Sequence, residues 1–163
     1  MPIKSKQFFL GILVAIIVAI LDLWTKDLVF NFLNGLGNDH PEFIVTSFFS
    51  LVKVWNTGVS FGMLNNLAYG KYIILAVNFT ILTVLFVWLY RNQFTYISVA
   101  LGLIIGGAFG NIIDRILHHG VADFLDFYIK NYHWPAFNLA DSAVFLGVVL
   151  LLLEGFFVKK NKE

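Results

Sequence analysis

Two aspartates, Asp123 in VADF and Asp141 in FNLAD, lie at the same end of two strongly apolar segments. A carboxylate placed where hydrocarbon is expected is costly, so an intramembrane acid points to function by default. Two aspartates that share a proton act as acid and base together, because like charges a few ångströms apart do not both ionise. One then polarises a carbonyl while the other activates water. If Asp141 opens a helix, the positive end of the dipole favours its ionised form and leaves Asp123 holding the proton, although the pair titrates as a unit.

Other polar residues gather at the same depth. Asp22 lies about 15 residues into the first apolar run and Asn111 about 16 into the third, which at 1.5 Å per residue places each roughly 22 to 24 Å across a core of about 30 Å. Asn56, Asp114, Arg115 and Asn138 map to the same level. Asp22 with Lys26, Asn111 with Asp114 and Arg115, and Asn138 with Asp141 are spaced three or four apart, so each group occupies one helix face. Each also has a plainer reading. Asp22 with Lys26, and Asp114 beside Arg115, fit ion pairs that hold helices together as well as groups that touch substrate. Asn138 and Asp141 fit a helix N-cap followed by an acid in the first turn. Asn56 and Gly58 fit an ordinary turn. Gly102, Gly106, Gly107 and Gly110, with Ala108 among them, fit close helix packing. His118 and His119 lack a third convergent ligand, so no metal site is expected.

The elements that must position these residues follow from composition. The chain has 163 residues, 59% hydrophobic and 13% charged, with a mean hydropathy of +0.81. Soluble domains carry about 25% charged residues. The chain reads as an integral membrane protein forming one compact domain over 1–163, with transmembrane helices at about 7–32, 71–90, 95–116 and 137–158. The basic residues ahead of the first run resemble the start of a signal peptide, but no small-residue cleavage site follows, so it reads as an uncleaved span. Only Arg91 to Phe94 separate the second and third spans, a tight antiparallel hairpin. Lys4, Lys6, Arg91, Lys159, Lys160 and Lys162 assign both termini and that turn to the cytoplasm. The connection at about 33–70 alternates apolar and polar residues through FIVTSFFSLVKVWNTG and reads as strands of a small extracytoplasmic β-sheet lying on the membrane, with Trp55 at headgroup level. The fold class expected is an all-α membrane protein with that sheet as a cradle. There are no cysteines, which excludes disulfides and thiolate chemistry.

LDLWTK at 21–26, WNTGVSFG at 55–62, GNIIDR at 110–115, VADF at 121–124 and FNLADSAV at 137–144 resemble, in order, the signature segments of bacterial lipoprotein signal peptidase, the type II signal peptidase. The resemblance covers nearly the whole chain. It departs where Val59 and Ser60 stand in place of two small residues, and where Val144 replaces Ile. It implies an intramembrane aspartic endopeptidase, a protease of the bacterial inner membrane that removes the signal peptide of diacylglyceryl-modified prolipoproteins just before the lipid-carrying cysteine. It carries the catalytic role onto Asp123 and Asp141. It carries supporting or substrate-binding roles onto Asp22, Lys26, Asn56, Gly58, Asn111, Asp114, Arg115, Asn138 and Ala140. It also implies inhibition by globomycin-type cyclic peptides.

The expected partners are therefore prolipoproteins, membrane lipid and such inhibitors, with no nucleic acid, no cofactor and a monomeric state. Catalytic groups near the outer face suit a substrate whose lipid tails lie in the outer leaflet. The sheet of the first connection, with Trp55 and Phe61, would close over the substrate as a lid. Two alternatives remain open to the sequence alone. A small proton-coupled transporter would need polar groups through the whole thickness, and the cytoplasmic halves of spans one to three have almost none. A non-catalytic assembly factor would tolerate Asp123→Asn.

Overall fold

The computed structural model describes residues 5–37, 41–57 and 70–160. Four helices appear among them: α1 (Ser5–Asn34), α2 (Gly70–Arg91), α3 (Thr95–His118) and α4 (Leu139–Lys160). Two of these, over Lys6–Asn34 and Thr95–His118, are long and apolar enough to cross a membrane by length and composition; Ala76–Arg91 and Leu139–Leu153 are shorter apolar helices. Their outward faces carry exposed Leu13, Ile16, Ile20, Phe79, Phe145 and Leu152, surface that water would not tolerate in such continuity.

Helix α3 lies at the centre, and its small residues let the neighbours come close. A Cβ added at Gly102 would fall 2.6 Å from the Gly11 carbonyl oxygen of α1, and one at Gly106 would fall 2.5 Å from that of Ala15. One at Gly107 would run into the Ala140 carbonyl of α4. The packing reading of these glycines therefore holds. Helices α2 and α3 join through Asn92, whose amide donates to Phe94 O at 2.7 Å and Ser98 Oγ at 2.9 Å, while its carbonyl accepts the Phe94 N–H at 3.0 Å. Those three bonds close the short turn and satisfy the polar groups it buries.

The sheet differs from the sequence expectation. It has four antiparallel strands in the order β1 (Glu42–Thr46), β2 (Phe49–Asn56), β3 (Val121–Ile129) and β4 (Tyr132–His133). The sequence reading places the sheet in the first connection alone and leaves Asp123 between the third and fourth spans; in the structure the connection between α3 and α4 supplies half the strands, and Asp123 sits on β3. The reason is burial. Strand β3 is covered on both sides along Val121 to Phe124, so it lacks the apolar–polar alternation that exposes a strand in a sequence. Ala122 and Phe124 pack on Phe30 of α1, and Trp55 meets the same Phe30 edge-on at 5.1 Å. The sheet is thereby seated on the end of α1. The fourth helix starts at Leu139 rather than at Phe137, whose backbone instead bridges to Leu125 of β3.

Candidate active site

The first turn of α4 is built on a reciprocal cap. Asn138 Oδ1 accepts the Asp141 N–H at 3.0 Å, and Asp141 Oδ2 accepts the Asn138 N–H at 3.2 Å, a capping box made from an amide and an acid. The cap reading of this spacing is thus correct, and it does not compete with a role in chemistry. With its carbonyl committed to the helix, Asn138 must turn its amide outward, where it donates to Asp123 Oδ1 at 2.7 Å, to Asn111 Oδ1 at 3.2 Å and to Ala122 O at 3.3 Å. Asn138 therefore connects the two aspartates and is wholly buried between them.

Each aspartate has a second amide partner. Asp123 Oδ2 accepts from Asn56 Nδ2 at 3.0 Å, and Asp141 Oδ1 accepts from Asn111 Nδ2 at 2.9 Å. Asp123 is 2% exposed. Burial pushes its carboxyl from the ordinary 3.8 up to about 6; the negative charge of Asp141 adds to the rise, while the Asn56 and Asn138 amides and the Lys26 ammonium oppose it. Asp141 lies at the α4 N-terminus, where two N–H donors and the dipole stabilise negative charge.

Behind the pair stands a buried cation. Lys26 Nζ lies 2.6 Å from Asp22 Oδ2, 2.9 Å from Asp114 Oδ2 and 2.9 Å from Asn111 Oδ1. Three acceptors use all three ammonium protons, the condition under which a buried charge is tolerated. Asp22 Oδ1 in turn accepts the Ala140 N–H at 2.9 Å, tying α1 to the start of α4. Asp114 Oδ2 accepts the Ala122 N–H at 3.1 Å, which anchors β3 one residue before Asp123. The ion-pair reading of Asp22 with Lys26 is right. The cation paired with Asp114 is Lys26 from another helix, whereas Arg115 Nη1 donates to the Asn111 carbonyl at 3.3 Å and lies in the field of Asp141, Asp123 and Asp114. Neighbours on a helix do not face each other, which is why Arg115 leaves Asp114 to Lys26.

Ten of the eleven residues singled out in the sequence thus converge through direct bonds or shared charge, Ala140 through its backbone; Gly58 lies outside the described residues, as does Phe61. His118 packs on the Trp55 ring with centroids 5.0 Å apart. Two contributions escape a reading of the sequence. Gly110 provides the space for Asp22, since a Cβ there would run into the Asp22 carboxylate; only its place in a run of small residues hinted at it. Ser50, Asp126 and His133 form a second polar cluster on the sheet, and Asp126 was visible only as another acid in VADFLDFYI.

Paired carboxylates held by amides, on a helical scaffold with a small antiparallel sheet, define an enzyme suited to acid–base hydrolysis. The chain belongs to the signal peptidase II family, whose model, described as signal peptidase (SPase) II, matches residues 14–157. A lipoprotein signal peptidase of Alteromonas mediterranea is 39% identical over 140 residues, covering 84% of this chain and 75% of the relative. One from Thermodesulfovibrio yellowstonii is 42% identical over 151 residues, 89% of each. A solved structure, described as a bacterial membrane enzyme determined by the in meso method at 2.3 Å resolution, superposes with a TM-score of 0.79 at 29% identity, covering 94% of this chain and 91% of its own. The chain is accordingly an aspartic peptidase and a bacterial membrane protein. Membership of this family leaves the transporter reading without support.

Proposed function

We propose that this protein removes the signal peptide of diacylglyceryl-modified prolipoproteins, cutting just before the lipid-carrying cysteine, with Asp123 and Asp141 as the catalytic pair. The observation that carries the assignment is Asn138, one buried amide that caps the helix bearing Asp141 while donating to Asp123. Such an arrangement holds a buried acid beside a second, partly buried one, and stability alone gives no reason for it.

In the reaction, Asp141 takes a proton from water as the water oxygen bonds to the scissile carbonyl carbon. Asp123 gives its proton to the carbonyl oxygen, and a gem-diol forms. On collapse, one diol proton returns to Asp123, the proton on Asp141 passes to the amine nitrogen, and the C–N bond breaks. The raised Asp123 affinity for protons favours it as the acid. Lys26 and Asp22 stay outside the proton transfers and hold Asn111 and the α4 N-terminus in place.

All four helices cross the membrane in this reading. Helices α2 and α4 have 22 residues each, and 1.5 Å per residue gives about 33 Å, enough for a core of about 30 Å. The basic residues put both termini in the cytoplasm of a cell whose inner membrane holds the enzyme, and the pair then sits at the outer face. The sheet, seated on α1 beside the pair, acts as a cradle and lid for the substrate. A globomycin-type cyclic peptide would occupy the space between the aspartates. The bonds named above close within one chain, which favours a monomer.

The test is cleavage of a diacylglyceryl-modified prolipoprotein by the purified protein in detergent, beside Asp123→Asn and Asp141→Asn variants. The expected result is turnover by the parent and none by either folded variant. Retained turnover in either variant removes that residue from the pair.

A further inference from the structure

Asp126 is a buried acid on β3 that the hydrolysis does not use. Its Oδ2 accepts the Ser50 hydroxyl at 3.2 Å and lies 2.8 Å from His133 Nδ1, so one carboxylate joins β2, β3 and β4. A serine, a histidine and an aspartate together invite a nucleophile reading. The bond pattern rejects it, because Ser50 donates to Asp126 and the histidine also engages Asp126, which leaves the hydroxyl without a base.

The strand geometry gives the cluster another task. Asp123 and Asp126 are three residues apart on β3 and so face opposite sides of the sheet. Their partners on β2, Asn56 and Ser50, are six apart, and in a regular strand an even spacing would put both on one side. The register shifts between Leu51 and Val54, where two β2 residues oppose Phe124 alone. That bulge reverses the parity. Ser50 therefore meets Asp126 on one face of the sheet, while Asn56 meets Asp123 on the other.

A bulge moved by one position would swing every side chain between its old and new places to the other face. A bulge carried past Ser50, with Asn56 still across from Val121, would set apolar Leu51 opposite the Asp126 carboxylate in place of the hydroxyl, and a buried acceptor without its donor is strongly disfavoured. We propose that Ser50 and Asp126, clipped by His133, are positioning residues that keep the bulge between Ser50 and Asn56 and so aim the Asn56 amide at Asp123. The inference rests on the catalytic role proposed for Asp123.

A double-mutant cycle on the full-length enzyme tests it, with kcat, KM and the pH–rate profile measured for Ser50→Ala, Asn56→Ala and the pair together. Ser50→Ala is expected to lower kcat about tenfold, the size of one lost bond to a charged group, with KM unchanged. It should also move the alkaline limb to higher pH as Asn56→Ala does, because both take a donor from the Asp123 carboxylate. The double variant should be no worse than Asn56→Ala, since the two act along one path, and Ser50→Thr, which keeps the hydroxyl, should restore kcat. Additive losses with an unmoved pH profile would reduce the cluster to a structural support and overturn the proposal. If Ser50→Ala does not fold, Asp126→Asn takes its place in the cycle, and equal losses with and without Asn56 overturn it likewise. Full turnover by both Asn56→Ala and Asp123→Asn would instead strike at the catalytic pair itself.

Discussion

Replacing Asp123 with asparagine should abolish cleavage and, at neutral pH, leave a protein at least as stable as the parent. The rise of the Asp123 carboxyl from 3.8 to about 6 corresponds to about 3 kcal/mol at 1.36 kcal/mol per tenfold in proton affinity. The sign follows from linkage. A carboxyl that binds its proton more tightly when folded lets the native state hold more protons between about pH 4 and pH 6, so the parent loses stability as pH rises through that window. The variant does not titrate there. It has a cost of its own, because Asn56 and Asn138 both donate to Asp123 and an amide offers only one acceptor. Asn138 has no freedom to flip, since its carbonyl accepts the Asp141 N–H. One donor then faces a donor, a cost of about 1–3 kcal/mol. The variant should thus be less stable than the parent at pH 4.5 and equal to it or better at pH 7.5. About 2 of those 3 kcal/mol fall between these two pH values, so the difference between the two unfolding midpoints should swing by about 4 to 8 °C, at about 2–4 °C per kcal/mol for a chain of this size. Thermal unfolding of the purified proteins in one detergent, at pH steps between these limits, reads it directly. A midpoint difference that stays flat with pH would refute the argument that burial loads free energy onto this carboxyl. Cleavage should fall by roughly 10² to 10⁴, the range for a lost general acid.

Substitutions at Lys26, Gly110 and Asn138 separate the supports of the site. Lys26→Met strands Asp22 and Asp114 without their cation, and should cost about 3–5 kcal/mol, seen as a lower unfolding midpoint and a loss of folded yield. Gly110→Ala places a methyl group against the Asp22 carboxylate and should destabilise by about 1–3 kcal/mol. Gly35→Ala, whose added Cβ would sit 3.3 Å from Phe32 O in an exposed turn, should be far milder; equal midpoints for the two would show that Asp22 moves aside freely. Asn138→Ser keeps an N-cap oxygen and loses the amide to Asp123, so stability should stay within about 1 kcal/mol of the parent while kcat falls. Asn138→Ala should lose both. Matching kcat values for Asn138→Ser and the parent would remove the bridge from the mechanism.

The groups that share one helix were legible in the sequence, because the α-helical repeat sets direction over four residues. Asp22 with Lys26 and Asn138 with Asp141 are such pairs, and their predicted contacts are present. Asp114 was paired by proximity with Arg115, and the structure gives it Lys26 from 88 positions earlier in the chain. The first two strands announced themselves by the alternation of apolar and polar residues in the sequence, although β1 is exposed along its whole length. Strand β3 did not, because it is enclosed on both sides and its acids interrupt an otherwise apolar run.

Composition and local spacing by themselves determined that this chain is a membrane protein of apolar helices, that acids and amides gather at one depth, and that its ordered segments resemble those of a peptidase family. Only the tertiary structure decided which amide meets which aspartate, which cation neutralises Asp22 and Asp114, and on which face of the sheet Asp123 points. Helix period and apolar content act over a few residues and are written in any stretch of chain. The bonds that assemble the pair join residues as far apart as Asp22 and Ala140, 118 positions along the chain, and a bulge of one residue in β2 decides the face on which Asn56 points. Those outcomes depend on how closely the small residues of α3 let the other helices approach, a property of the packed whole.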